Sequence, residues 1–240
     1  MKFLQTKLNK YNLDTRDTDN CNKLEWNTGF KLNRDSFDGK AKHRQPSEIN
    51  AYTDGSKLDG RTGSGIAIYR GKDEIKADWL RLPDGCTVFQ AEVAAIAKAA
   101  TEIAILAKDG VKYVKIFVDS QAALLAVDNP RVTSNIVATA VRNLNKLANM
   151  VRSITLVWIP AHKGFVGNER ADELAKRGSQ DVDPAHLYRV GMPVATLKSS
   201  IRDRIYAEWG EEWEKSSIAN HTKVSIGDQI PARRNLFTNW

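Results

Sequence analysis

The 240-residue chain predicts an α/β domain, a five-stranded mixed sheet flanked by helices, with a flexible N-terminal arm and a helical C-terminal tail. Three observations predict it. Apolar residues alternate with period two in short runs between residues 49 and 82, then switch to a helical period from residue 88 onward. Two later runs, 113–118 and 154–159, are continuously apolar-rich, as buried central strands are. Helical stretches alternate with those runs, giving the order βββαβααβα over residues 47–178 and a single domain.

Each element has its own warrant. Residues 1–46 hold no Ile, no Val and one Ala, with ten Lys/Arg against six Asp/Glu. So little apolar area cannot offset ordering entropy, and the segment reads as flexible or extended. Phe3, Leu4, Leu8, Trp26 and Phe30 are candidates to dock on a partner, against the plainer reading of a linker or remnant. Strands follow at 49–54, 65–69 and 74–82, joined by polar Gly-containing connections and therefore antiparallel neighbours. Thr87 and Gln90 form a capping box for a helix over 88–108, with Phe89, Val93, Ile96, Ala100 and Ile103 on its apolar face. Gly110 ends it.

The strand 113–118 stops at Asp119 and Ser120, where a helix starts and runs to about 128. Asn129-Pro130 breaks the chain, and Ser134 caps a third helix to 150. Pro160 stops the strand 154–159 because proline cannot donate to a ladder. Gly164 and Gly167 keep a loop free around His162 and Lys163; Asn168 reads as the N-cap of a helix over 169–177, closed by Gly178. Beyond this domain, residues 179–240 read as a linker and an amphipathic helix over 194–215. In that helix Leu197, Ile201, Ile205, Trp209 and Trp213 recur at four-residue steps. Residues 216–240 show little beyond the basic pair Arg233-Arg234.

Composition excludes several classes. With 42% hydrophobic and 27% charged residues the chain is ordinary globular material. No apolar run approaches membrane-spanning length, and the N-terminus turns polar too early for a secretory signal. Cys21 and Cys86 lie far apart and fit neither a metal finger nor a disulfide framework. The expectation is an intracellular, reducing setting, cytoplasm or nucleus. A net charge of +7 and a pI near 9.3 favour polyanionic partners.

The chemistry lies in four acids at element boundaries. Asp54 ends the first strand, Glu92 sits early in the long helix, Asp119 ends the central strand, and Asp172 lies on the last helix. Strand ends and helix starts converge at one edge of a sheet, where α/β folds place their sites. Glu92 shares a helix face with Ile96 and Ile103, so its carboxylate points coreward and needs a partner or a metal. Taken singly, each acid is most simply a cap, a turn residue or an answer to a helix dipole. Together they repel one another and hold protons unless a cation intervenes. Oxygen-only ligands select Mg²⁺, with Mn²⁺ as a substitute, and two such ions suit in-line phosphodiester hydrolysis. His162, on its Gly-bounded loop, is placed to handle protons.

The motifs Tyr52-Thr53-Asp54-Gly55-Ser56, Phe89-Gln90-Ala91-Glu92, Val118-Asp119-Ser120-Gln121-Ala122-Ala123 and Trp158-Ile159-Pro160-Ala161-His162-Lys163-Gly164, continued by Gly167-Asn168-Glu169-Arg170-Ala171-Asp172, resemble type 1 ribonuclease H in the family's order. The resemblance covers about 47–178. Within the family it is greatest to domains attached to non-LTR retrotransposon reverse transcriptases, through the Phe89–Glu92 helix start and the Trp-rich tail. It implies the ribonuclease H-like fold and two Mg²⁺ ions on Asp54, Glu92, Asp119 and Asp172. It further implies a proton-shuttling His162 and cleavage of the RNA strand of RNA/DNA hybrids to 5′-phosphate and 3′-hydroxyl ends. It implies Gly55, Ser56 and Gln90 as substrate contacts, readout of 2′-hydroxyls, and a reverse transcriptase domain as partner. Two departures stand out: Val88-Phe89 occupies the place of an Asn pair found in many cellular members, and 129–150 carries little of their basic protrusion. The competing readings are a non-catalytic hybrid-binding or scaffolding module, which a missing acid would favour, and a DNA nuclease or transposase relative, which the loop around His162 disfavours.

Overall fold

The structure is a computed structural model that describes residue 14 and residues 29–33, 47–107 and 110–215. It divides into two compact units, Met1–Pro193 and Val194–Trp240, each taken by itself below. In the first unit the strands are β1 (Phe30–Asn33), β2 (Glu48–Leu58), β3 (Arg61–Arg70), β4 (Asp73–Arg81), β5 (Tyr113–Val118) and β6 (Ser153–Trp158). The helices are α1 (Val88–Leu106), α2 (Gln121–Asp128), α3 (Asn135–Ala148) and α4 (Val166–Gln180). The second unit holds α5 (Val194–Lys215). Among the described residues no helix is long and apolar enough to cross a membrane.

The sheet has six strands in the order β1-β6-β5-β2-β3-β4, one more than the pattern predicts. The first three pairings are parallel, and β2-β3-β4 form the expected antiparallel meander. The sixth strand comes from the arm read as flexible or extended: Phe30 is buried and β1 pairs with β6. Phe30 therefore docks on its own chain. Phe3, Leu4, Leu8 and Trp26 lie outside the described residues, as do residue 108 and Arg233-Arg234.

Alternation along β3 shows how the layers stack. The Ser64 hydroxyl donates to Ala91 O of α1 at 2.7 Å, while on the other face Gly63 and Gly65 lie against the backbone of α4. The main core fills the α1/α3 side with Ile49, Ile66, Ile96, Ile116, Leu144 and Leu156. A smaller cluster of Phe117, Val157 and Ile159 lies on the opposite side, with Tyr52 stacked on Phe117 at 4.7 Å between ring centroids.

Helix starts follow the sequence signals with one exception. The Thr87/Gln90 capping box is reciprocal, and Ser120 and Ser134 cap α2 and α3. At α4 the N-cap is Phe165, without a side-chain cap, and the helix runs from Val166 past Gly178 to Gln180. Gly167 is thus not a loop hinge; it lies under the Tyr52 ring, where a Cβ would collide. The stretch expected to be a linker is also ordered: Tyr188 N donates to Arg81 O of β4 at 2.7 Å, and Trp79 Nε1 donates to Asp181 Oδ2 at 2.6 Å.

Candidate metal centre

Three chain segments meet at one end of the sheet. Thr53 pairs with Val118 across the parallel β2–β5 ladder, so the next residues, Asp54 and Asp119, emerge side by side. α1 brings the third acid by passing unusually close to β2. A Cβ on Gly55 would sit 2.6 Å from the Glu92 amide nitrogen, so the approach requires glycine at that position. One carboxylate oxygen each from Asp54, Glu92 and Asp119 then lie within 4.8 Å of one another.

Asp54 is 8% and Glu92 7% exposed. Burial, followed by the neighbouring Asp119 and Asp172 charges, pushes the Asp54 carboxyl from 3.8 up to about 7. Burial together with Asp54 and Asp119 pushes Glu92 from 4.5 up to about 9. Asp119 is raised by burial too, against the opposing pull of an Asn168 hydrogen bond and of His162. Glu92 Oε2 is buried without a hydrogen-bond partner among the described residues. A buried carboxylate with one oxygen lacking a partner, grouped with two more acids, is the donor set of a hard cation, and these residues fit one.

Asp172 stands beside this trio. It bears on Asp54 and Asp119 electrostatically, yet its Oδ2 accepts from Lys176 Nζ at 2.6 Å one helical turn on. His162 is exposed, with φ 53°, on the loop after β6, and its charge reaches Asp119. Gly55 and Ser56 continue β2 past Asp54, partly exposed. Gln90 does not reach the site. It is 1% exposed; its Oε1 accepts from Thr87 N and its Nε2 donates to Asp14 Oδ2 and Gly191 O, which uses the whole amide inside the fold.

One residue of the centre escapes the sequence reading. Asn168, read as an N-cap, is buried in the first turn of α4 and donates from Nδ2 to Asp119 Oδ2 at 3.2 Å. The signal was its spacing: Asn168 and Asp172 are four apart and share a helix face.

Residues 46–180, more than half the chain, match the RNase H family profile. The chain belongs to the RNase H family. It is 28% identical to rat Ribonuclease H1 and 27% to the mouse protein, each over 146 residues and 55% of this chain. It spans about half the length of these RNase H relatives, covering 50% of each. Among solved structures it is similar to RNase H1 from the halophilic archaeon Halobacterium salinarum, at 22% identity and a TM-score of 0.45, over 56% of this chain and 99% of that one. The mixed sheet and flanking helices are those of the RNase H-like fold.

Proposed function

We propose that the chain is a divalent-metal-dependent endoribonuclease that hydrolyses the RNA strand of RNA/DNA hybrids, leaving 5′-phosphate and 3′-hydroxyl ends. The observation that carries this reading is the gathering of one oxygen each from Asp54, Glu92 and Asp119, with Glu92 Oε2 buried and without a partner among the described residues. Those three, with Asp172, would hold two Mg²⁺ ions, or Mn²⁺ in their place. Bound there, the ions supply Lewis acidity and charge neutralisation at a phosphodiester. Everything else falls to the chain's own groups. Asn168 fixes the Asp119 carboxylate through Oδ2, as outer-shell partners orient ligands. Lys176 holds the Asp172 side chain in place until an ion claims it. Exposed His162 sits at the mouth, suited to carry a proton to or from water as product leaves. Gly55 and Ser56 present backbone beside the acids, where the RNA strand would lie, and the minor-groove 2′-hydroxyls would mark it as RNA.

The resemblance to retrotransposon-borne domains supports a retroelement context, in which the hybrid is a product of reverse transcription. Physical association with a reverse transcriptase domain is the observation that would carry that part.

A labelled hybrid in Mg²⁺ tests the activity. Wild-type protein cleaves the RNA strand and leaves double-stranded DNA intact. Asp119→Asn keeps the fold and loses more than the roughly 10–100-fold that an outer-shell change costs. Cleavage at the wild-type rate in that variant overturns the assignment.

A further inference from the structure

The helix α5 carries none of the acids of the centre described above. Along it Leu197, Ile201, Ile205, Trp209 and Trp213 recur every four residues; Leu197 is buried and Trp213 half-buried, while Ile201, Ile205 and Trp209 form an exposed face, at 36%, 46% and 56%. Two isoleucines and a tryptophan in water on successive turns are apolar area that a partner would remove from solvent. We propose that a second copy of this chain covers this face, through an antiparallel α5–α5 pair whose two-fold axis passes Ile205.

The order of residues names the partner. The helix half before Ile205 carries Lys198, Arg202 and Arg204 with Asp203; the half after it carries Glu208, Glu211, Glu212 and Glu214 with Lys215. An antiparallel copy lays the basic half on the acidic half, whereas a parallel copy lays like on like. At about 100° per residue, Lys198 and Glu212 point within about 20° of the Ile205 direction, two turns to either side. Lys198 of each copy therefore faces Glu212 of the other. Ile205 meets its symmetry mate, and Ile201 lies level with Trp209.

The charges that pair within the helix lie off this face: Arg204 with Glu208 at 3.3 Å and Lys215 with Glu211 at 3.5 Å. Among the described residues Lys198 and Glu212 form no such pair, so the two charges on the seam are the ones left for a partner. A ridge of four-residue steps also suits ridges-into-grooves packing. Three exposed apolar side chains per copy bury far less than the roughly 1,200–2,000 Å² of a stable assembly, so the dimer is weak, with a Kd of roughly 10⁻⁵–10⁻⁴ M.

Sedimentation equilibrium on the full chain, loaded to roughly ten times that Kd, reads the outcome. A monomer–dimer equilibrium is expected. Lys198→Glu and Glu212→Lys, which each set like charges face to face twice, raise the dimer Kd by about tenfold or more. The double reversal returns it to near the wild-type value, and Ile205→Glu abolishes the dimer while circular dichroism shows helix content unchanged. A monomer throughout, as when residues 216–240 or another protein occupy this face, overturns the proposal. So does a dimer indifferent to the single reversals, or a double reversal that fails to recover.

Discussion

Glu92 buries a carboxylate oxygen that has no donor among the described residues, in a group with two more acids. In the absence of metal the centre keeps protons that the unfolded chain would release: Asp54 titrates near 7 and Glu92 near 9 when folded, against ordinary values of 3.8 and 4.5. Raised acid pKa values mean the folded state binds more protons than the unfolded one. The penalty is therefore absent in acid, grows as pH rises past about 4, and is complete above about 9. A divalent cation bound there, as proposed, would replace those protons and remove the penalty. The gap in Tm between Mg²⁺-loaded and metal-free protein is expected to widen from pH 5 to pH 9, read by differential scanning fluorimetry; a constant gap would mean these acids do not share the ion. The acids were legible by their places in the motifs, although Asp54 does not end its strand as expected: β2 runs on to Leu58, and it is the pairing with β5 that stops at Thr53. Asn168 was not, because an Asn before a helical run looks like a cap whichever way its amide turns. Gln90 misled for the opposite reason: its neighbour Glu92 is in the centre, while its own amide closes a capping box and ties down the flanks.

Elements bring these residues together through glycine. Gly63 and Gly65 of β3 admit the α4 backbone so closely that a Cβ on Gly65 would overlap Ala171 O and Ala175 N. α4 carries both Asn168 and Asp172, so its seating on β3 sets the reach of two site residues at once. Gly65→Ala is expected to destabilise by about 1–3 kcal/mol through overpacking and to lower hybrid cleavage with it. Urea titration and the cleavage assay, run together, check this; a variant as stable and as active as wild type would show the contact to be slack. Most elements could be read in the sequence because period, caps and breakers agree over stretches of six residues or more. β1 could not. Phe30–Asn33 is four residues long in polar surroundings, and its strand partner lies at Ile154–Val157, a pairing no local pattern announces. The start of α4 was misplaced because Phe165 caps it by position and not by side chain.

At the scale of the molecule, one acid outside the trio ties the flanks to the core. Asp14 accepts from Ser134 Oγ at 2.8 Å, Ile136 N at 3.1 Å and Gln90 Nε2 at 2.9 Å, and its own N–H donates to Met192 O at 2.8 Å. It thereby joins the N-terminal arm, the starts of α1 and α3, and the stretch after α4. Asp14→Ala leaves three donors without their acceptor and is expected to cost about 1–3 kcal/mol, read as a shift in the urea midpoint at unchanged slope. An unshifted midpoint would show that water replaces the carboxylate without loss. Nothing in the composition of the arm marks Asp14 among its other acids; the long-range partners alone give it meaning.

Those ties bear on how this chain can be cut. The family match stops at residue 180, but the hydrogen bonding of the fold does not. Trimming to the matched segment discards Asp14, Asp181, Tyr188 and Gly191, and with them the partners of Gln90, Trp79 and Arg81. A shortened protein that cleaves poorly would then report a loosened scaffold as readily as a lost grip on nucleic acid. Only a fragment that keeps both borders, from Asp14 to Pro193, separates the two.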